Sequence, residues 1–361
     1  MFAFNIQDVI DLCGISYTQN NSQSVNINCI YCNKPKKMNI NFAKNCFHCP
    51  ACGKSGGMLQ LYADVYNVST QDAKREIEAA LGITADNAAE RTTRIAEEAK
   101  AQEVAQTPLA PIEVRHRTYR SFLAFLQLAE THKENLKERG LTEYDIHKLM
   151  YGSNPSCNRG YIMDSLVKSG CQLEGVPGFF IGPDGKWNMN MSPKTSGFFC
   201  PVLNTSGLIE GLQVRMDNPI DGRKYIWFSS SGKEKGCGSG TPCHFIGDPA
   251  SETVWLTEGS LKATIAKKLS DRLGKNYTFA AVSGVTCFSS LDQLLTELKD
   301  NGVKTIIEAY DMDKLKNENV GNAVVKLYEM CASHGLEVTP ARWNPAYKGI
   351  DDFLLHKATG N

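Results

Sequence analysis

Five cysteines and one histidine lie between residues 29 and 52, in the stretch CIYCNKPKKMNINFAKNCFHCPAC. Thiols spaced two residues apart are typical of metal ligands in a protein that stays in a reducing compartment, where disulfides are rare. The first 20 residues carry acids and amides and no long apolar run, so they do not read as a secretory signal. We therefore expect reduced thiols, a metal and a cytoplasmic protein.

The register of the predicted metal site has two solutions. A first Cys-x-x-Cys pair begins at residue 29 and a second at residue 49, with sixteen residues between them, which is within the range of a zinc ribbon. Cys46 stands at the same spacing from the cysteine at 49, and His48 lies between. We prefer the second pair because Gly53 suits the turn that closes a metal knuckle. The predicted zinc ligands are Cys29, Cys32, Cys49 and Cys52. The alternative is a reduced cluster without metal.

Basic and aromatic side chains surround these cysteines and are expected at the surface. They are Lys34, Lys36, Lys37, Phe42, Lys44 and Phe47. Such a mixture can hold single-stranded nucleic acid through phosphate contacts and base stacking. A solvated basic loop explains it equally well.

Acidic residues follow three apolar runs in the last third of the chain. Glu258 ends TVWLTE, Asp311 and Asp313 end AYDMD, and Asp351 and Asp352 lie in KGIDDFL. A single Asp-x-Asp is most often a solvated strand end. Three acidic sites brought to the carboxyl edge of a parallel sheet, where ligands bind, would instead offer an oxygen cage to Mg²⁺ or Mn²⁺. Metal ions held in this way suit phosphoryl transfer.

The elements that must position these acids alternate regularly. TVWLTEG, YTFAAVSG, KTIIEAYD and LEVTPARW read as strands, with helical segments between them. In SSLDQLLTELKDNG, four leucines fall at i, i+3, i+4 and i+7, which is the pattern of an amphipathic helix. Strands that alternate with helices predict a mostly parallel sheet with helices on its faces.

The whole chain of 361 residues is long enough for two or three domains. We expect a cysteine-rich domain over 1–84, a solvated and partly helical linker over 85–112, a mixed α and β domain over 113–250 and an α/β domain over 251–361. The predicted fold class is therefore a multidomain combination of α+β and α/β architecture.

Composition narrows the function classes. With 39 basic and 39 acidic residues the formal net charge is zero, so a nucleic-acid partner has to be argued from local patches. No apolar run is long enough to span a bilayer, and no GxxxxGK[ST] motif for ATP-driven unwinding occurs. The seven histidines are dispersed, and we expect no Ser/His/Asp site.

Several of these segments resemble the bacterial and phage DnaG-type primases. FHCPACGKSGGMLQ resembles the end of that family's zinc ribbon, and TEGSLKA, AYDMDK and KGIDDFL resemble its Toprim motifs. KERGLTEYDIHKLMYG resembles the start of the primase catalytic core. GFFCPVLNTSGLIEGLQVRMDNPIDGRKYIWFSS is similar to its basic N-terminal subdomain. The resemblance covers nearly the whole chain, in the family's order.

The resemblance implies a DNA primase that makes short RNA primers on single-stranded DNA by metal-dependent nucleotidyl transfer. The implied fold is an N-terminal zinc ribbon that binds template, a mixed α+β subdomain and a C-terminal Toprim domain. The implied cofactors are Zn²⁺ and Mg²⁺ or Mn²⁺. The implied partners are the template, nucleoside triphosphates and a separate replicative helicase, without a membrane. The resemblance is to the compact primases of phages and other mobile elements, for which we expect no helicase domain in the same chain.

The family's site residues carry over by position. Catalytic metal ligands would be Glu258, Asp311 and Asp313, supported by Asp352 or Asp351. Phosphate contacts would be Arg215 and Lys224, joined by Arg139 and, more weakly, by Lys233. Lys262 departs from the family, which has an acidic residue three positions after the Glu-Gly pair. This change could reduce the number of metal ions held.

Two other functions remain open at this stage. One is a non-catalytic zinc-ribbon protein that binds single-stranded DNA, which Lys262 favours. The other is a Toprim nuclease. A topoisomerase would need a tyrosine in an additional domain, for which we identify no room.

Overall fold

The structure is a computed structural model that describes residues 2–17, 24–104, 107–220, 223–284, 287–312 and 318–360. The chain divides into two compact units, Met1–Thr107 and Pro108–Asn361. Each unit has its own hydrophobic core and is described by itself. None of the helices within the described ranges is both long and apolar enough to cross a membrane.

The first unit contains a small antiparallel sheet in the order β1-β2-β3-β4. Its elements are α1 (Ile6–Leu12), β1 (Ser24–Ile27), β2 (Met38–Asn41), β3 (Cys46–His48), β4 (Ser55–Gly57), α2 (Met58–Tyr66), α3 (Thr70–Ala80) and α4 (Ala85–Val104). Side-chain caps start two of the helices: the Asn5 side chain accepts from the Asp8 N–H, and the Ser69 hydroxyl accepts from the Asp72 N–H.

The core of this unit corrects one sequence-based expectation. Phe47 is only 1% exposed and packs among the buried residues of the sheet and helices, so it is not a surface aromatic residue. Phe42 is half-buried against the same core. Stacking of bases on Phe47 is therefore excluded in this structure.

The second unit begins with helices and an antiparallel sheet in the order β10-β9-β8-β5, beside a β6–β7 hairpin. These elements are α5 (Ile112–Ala124), α6 (Glu130–Glu138), α7 (Glu143–Lys148), β5 (Gly152–Ser153), α8 (Arg159–Lys168), β6 (Phe179–Ile181), β7 (Trp187–Met189), β8 (Gly197–Leu203), β9 (Ile209–Ile220) and β10 (Arg223–Trp227).

The same unit continues with a five-stranded sheet in the order β11-β13-β12-β14-β15. The elements are β11 (His244–Ile246), β12 (Thr253–Glu258), α9 (Ser260–Arg272), β13 (Thr278–Val282), α10 (Phe288–Asp300), β14 (Thr305–Glu308), α11 (Glu318–Ser333), β15 (Glu337–Pro340) and α12 (Ile350–Thr359). Strands β12 to β15 pair in parallel, and β11 is antiparallel to β13.

Four strands and one helix of this part agree with the sequence patterns. The four leucines at helical spacing lie in α10 and are all buried; they are Leu291, Leu294, Leu295 and Leu298. The residues over 278–282 are buried without a break, as expected for a strand covered on both faces. A mixed α and β fold with a mostly parallel sheet is thus present.

Four phenylalanines form the centre of the core beneath the antiparallel sheet. The Phe122 ring stacks on Phe228 with centroids 5.6 Å apart and meets Phe179 and Phe199 edge-on at 5.3 and 5.2 Å. Gly178, with φ of +94°, passes so close to Phe228 that a Cβ there would collide with the ring. The backbone and the aromatic cluster therefore determine each other's positions.

We expect Phe122→Ala to destabilise the second unit by about 3–5 kcal/mol, because it leaves a large cavity among rings that cannot collapse. All four tryptophans of the chain lie at residues 187, 227, 255 and 343, so their fluorescence reports unfolding of this unit. Phe125→Ala, at a ring that is 38% exposed, is the matched control with a much smaller loss. Equal effects of the two substitutions would contradict the central role of Phe122.

Candidate metal centre and carboxylate edge

Two equivalent turns carry the cysteine pairs of the first unit. The N–H of Cys29 donates to the carbonyl five residues on at 3.0 Å, and that of Cys49 does the same at 2.8 Å. The N–H of Asn33 and of Gly53 then donates back to the first cysteine of each turn at 2.9 and 2.8 Å. Both of these residues have left-handed backbone, with φ of 55° and 73°. Asparagine and glycine are the residues that accept this conformation most easily.

The turns bring four thiols together. The Sγ atoms of Cys29 and Cys52 are 3.8 Å apart, those of Cys32 and Cys49 are 3.9 Å apart, and all four lie within 4.8 Å of one another. A tetrahedral zinc ion with Zn–S bonds of about 2.3 Å needs sulfur atoms about 3.8 Å apart. The donor set and its spacing therefore fit one zinc ion.

The two remaining candidates of the segment lie elsewhere. Cys46 is half-buried in β3, where it pairs with Asn41 and Gly57 across the sheet. His48, in the same strand, is exposed. The structure thus assembles the register that begins at residue 49.

We expect Cys46→Ser to retain one zinc ion per chain and Cys52→Ser to lose it, because only the latter removes a member of the four-thiol cluster. Metal analysis of the purified full chain would measure both. Zinc loss from Cys46→Ser with retention in Cys52→Ser would mean that the other register holds the metal.

The carboxyl edge of the parallel sheet collects residues from three distant segments. Glu258 is the last residue of β12, and Asp311 follows β14. The Ala309 N–H donates to the Leu256 carbonyl at 2.8 Å, which continues the pairing of these strands toward the edge. The Met312 N–H donates to the carbonyl of residue 348 at 2.9 Å and so attaches the KGIDDFL segment there.

The Asp311 carboxylate is paired with cations of the chain itself. Asp311 as a whole residue is 9% exposed, and its carboxylate forms an ion pair with the ammonium group of Lys262, which lies in the first turn of α9. The Lys348 ammonium approaches its other oxygen at 3.7 Å. Lys348 was not predicted from the sequence, because a lone lysine before a glycine carries no recognisable signal.

Asp351 and Asp352 have different surroundings. Asp351 is 4% exposed; its Oδ2 accepts from Arg139 at 2.8 Å, whereas its Oδ1 has no hydrogen-bond partner. Burial raises the pKa of Asp351, and the positive charges of Arg139 and Lys262 oppose that rise. Asp352 is exposed and accepts from the Gly349 N–H at 3.1 Å, so it caps α12.

The described acids do not assemble into a divalent-cation site by themselves. Among the residues described, only the four cysteines form a set of three or more metal-binding side chains with ligand atoms within 4.8 Å. Glu258, Asp311, Asp351 and Asp352 belong to no such set. Asp313 lies outside the described residues. The assignment of these five acids to Mg²⁺ or Mn²⁺ stays a prediction.

Two of the predicted phosphate contacts lie close to one tyrosine. Arg215 in β9 donates to the Asn135 side chain at 2.9 Å and holds its guanidinium 5.6 Å from the centre of the Phe198 ring. Tyr225 lies opposite Arg215 on β10. Burial raises the pKa of Tyr225, and Arg139 and Arg215 both oppose that rise. Arg215 is thus held in place by a hydrogen bond and by ring packing.

The two predicted lysine contacts are more exposed. Lys224 lies at the register shift between β9 and β10, and Lys233 lies in the loop that follows β10. The ammonium group of Lys233 is 5.2 Å from the centre of the Phe180 ring. The roles of both lysines stay predictions.

A Ser–His–Asp arrangement is present, contrary to the sequence-based expectation. His132, 6% exposed, lies between the Ser153 hydroxyl at 2.6 Å and the Asp217 carboxylate at 3.0 Å. The Ser153 oxygen also accepts from the Ala129 N–H at 2.8 Å, where α6 begins. These contacts join α6 to the antiparallel sheet, so we assign the arrangement a structural role. Its members are too far apart in sequence to be recognised as a motif.

The chain is similar to one protein family and to known primases. The family described as a domain of unknown function (DUF3854) matches residues 246–360. A DNA primase of Lactococcus lactis is 25% identical over 199 residues, which are 54% of this chain and 29% of that protein. The zinc-binding and RNA polymerase domains of the Aquifex aeolicus primase align with 99% of this chain and 81% of that one, at 16% identity and a TM-score of 0.51.

The chain has the fold of a DnaG-type primase. The resemblance that the motifs indicated is thereby confirmed at the level of the fold. The matched stretch of 199 residues covers less than a third of the length of that curated relative. Activity, substrates and partners are therefore matters of proposal.

Proposed function

We propose that this protein is a DNA primase that synthesises short RNA primers on a single-stranded DNA template. The observation that carries the proposal is the combination of two sites within one primase fold. A four-thiol cluster lies in the first unit, and a carboxylate edge on a parallel sheet lies in the second. The L. lactis relative, named a DNA primase, supports the same proposal.

In the proposed reaction, the 3′-hydroxyl of one ribonucleotide attacks the α-phosphate of the next, and pyrophosphate leaves. This chemistry depends on positioning and charge neutralisation more than on a protein nucleophile. Arg215 is the group best placed to hold a template or nucleotide phosphate, because Asn135 and Phe198 fix its orientation. Lys224, Lys233 and Arg139 are proposed as further phosphate contacts.

The proposed cofactors differ between the units. Zinc would be held by the four thiols and would stabilise the small sheet that carries them. Mg²⁺ or Mn²⁺ is proposed for the catalytic unit, as a Toprim domain implies, with Glu258 and Asp313 among the acids still to be tested. The first unit would read template through exposed lysines such as Lys34, Lys36 and Lys44. A separate helicase and a cytoplasmic location complete the proposal.

One observation favours a second candidate function. Asp311 is already paired with Lys262 and Lys348, which suits a non-catalytic protein that binds single-stranded DNA for replication. Only the primase would make an RNA product. We expect single-stranded templates, labelled ribonucleotides and Mg²⁺ or Mn²⁺ to yield short labelled RNA. Binding of template without any RNA product would favour the second candidate.

We expect Arg215→Ala to weaken template binding several-fold at low salt, because one phosphate contact to the single strand is lost. The slope of log affinity against log salt is negative, and its magnitude should fall by about 0.7. Fluorescence anisotropy of a labelled oligonucleotide across a salt series would measure both. Lys304→Ala is the control: Lys304 precedes β14, at the opposite end of the strand from Asp311. An unchanged salt slope in Arg215→Ala would remove Arg215 from the proposed interface.

A further inference from the structure

The Lys262 side chain lies at the carboxylate edge and pairs with one of its acids, Asp311. Its side chain is 16% exposed and that of Asp311 is 12% exposed, so their ion pair is largely removed from water. The lysine follows the Glu-Gly turn between β12 and α9, which directs the first turn of α9 toward this edge. A buried ammonium group is stable only beside a carboxylate, and a buried carboxylate only beside a cation.

The loop before α12 is shaped around the same lysine. A Cβ atom at Gly349 would lie 3.2 Å from Cε and 3.3 Å from Nζ of Lys262 and would collide with the Asp351 carboxylate. The end of Lys262 and the Asp351 carboxylate thus both approach one point of the backbone. The absence of a side chain at Gly349 leaves room for both groups.

The cations around Asp311 oppose the binding of a second cation to that carboxylate. Lys262 and Lys348 both approach Asp311, and Arg139 pairs with Asp351. Glu258 and Asp352 are the other described acids of this edge. A divalent ion bound to Asp311 would have to displace or adjoin the Lys262 ammonium group. Like charges at such distances in a partly buried site cost affinity by a factor of about 100 or more.

We propose that the Lys262 ammonium group is the resident cation of this edge and takes the place of a divalent ion at Asp311 and Asp351. What this ion pair means for catalysis rests on the proposed primase function. Under that function, any divalent ion would be held at this edge without Asp311 as a ligand.

Mn²⁺ binding, followed by electron paramagnetic resonance, tests this proposal without any activity assay. The zinc-loaded full chain is titrated in the absence of DNA and nucleotides. We expect Asp311→Asn to leave the Mn²⁺ affinity of the wild type unchanged, because Lys262 already occupies that carboxylate. We expect Lys262→Asp to add one Mn²⁺ site or to raise affinity at least tenfold. Lys262→Met, which removes the charge and keeps much of the length, should raise it in the same direction.

Lys267→Met is the control matched to Lys262→Met. Lys267 lies in the same helix, is also 16% exposed and pairs with Asp271 at 2.6 Å, away from the acids of the edge. It should bind Mn²⁺ as the wild type does. A tenfold loss of affinity in Asp311→Asn would overturn the proposal even if the Lys262 variants failed to fold.

The result separates this inference from the proposed function. Primer synthesis by a wild type that uses Asp311 to bind Mn²⁺ would contradict the proposed role of Lys262 and agree with the proposed primase function. New Mn²⁺ binding by Lys262→Asp, in a protein whose wild type makes no primers, would support the proposed role of Lys262 and contradict the proposed primase function.

Discussion

Parallel pairing of β12 with both of its neighbours determines which end of the sheet carries the acids at the ends of β12 and β14. β12 is the central strand, and its Val254 and Leu256 side chains are almost fully buried. Because parallel strands end at the same edge, Glu258 and Asp311 both lie at that edge although more than fifty residues separate them. The Ala309 to Leu256 hydrogen bond extends this pairing beyond the last residue of β14.

Buried charge then decides which segments join the edge. Removing Asp311 and Asp351 from water is costly unless each meets a cation. Arg139, which follows α6, pairs with Asp351 in α12, and Lys262 and Lys348 pair with Asp311. The Arg139 pair joins the helical start of the second unit to its last helix. Pairing of the buried carboxylates with cations is therefore coupled to the packing of this unit.

Local patterns made much of this fold predictable. The leucines of α10 and the strands β12 to β15 follow from periodicity within a few residues, and the cysteine knuckles follow from spacing and one glycine. Asn33, at the position equivalent to Gly53, was a further signal, because asparagine also accepts the left-handed conformation. These features depend on neighbours in sequence, which a single sequence displays.

Contacts between distant segments could not be predicted in this way. Phe47 reads as one aromatic residue of a basic loop, and only the packing of the helices over its sheet shows that it is buried. His132 meets Ser153 and Asp217 across 21 and 85 residues. The pairing of Lys262 with Asp311 likewise depends on the direction in which α9 leaves the sheet. No spacing rule encodes such a direction.

The negative charges of the two sites are neutralised differently, by a metal ion at the thiolates and by a lysine at Asp311. The chemistry of the donor atoms explains the difference. Thiolates are soft ligands that bind zinc far more strongly than they attract an ammonium group, so a lysine could not replace the metal in the four-cysteine cluster. Carboxylates are hard ligands, and Mg²⁺ gives up its water only reluctantly to reach them. The Lys262 ammonium group is already positioned by the fold, so its pairing with a carboxylate does not require the removal of water from a metal ion. A single lysine can therefore compete for a carboxylate, whereas it cannot compete for a thiolate.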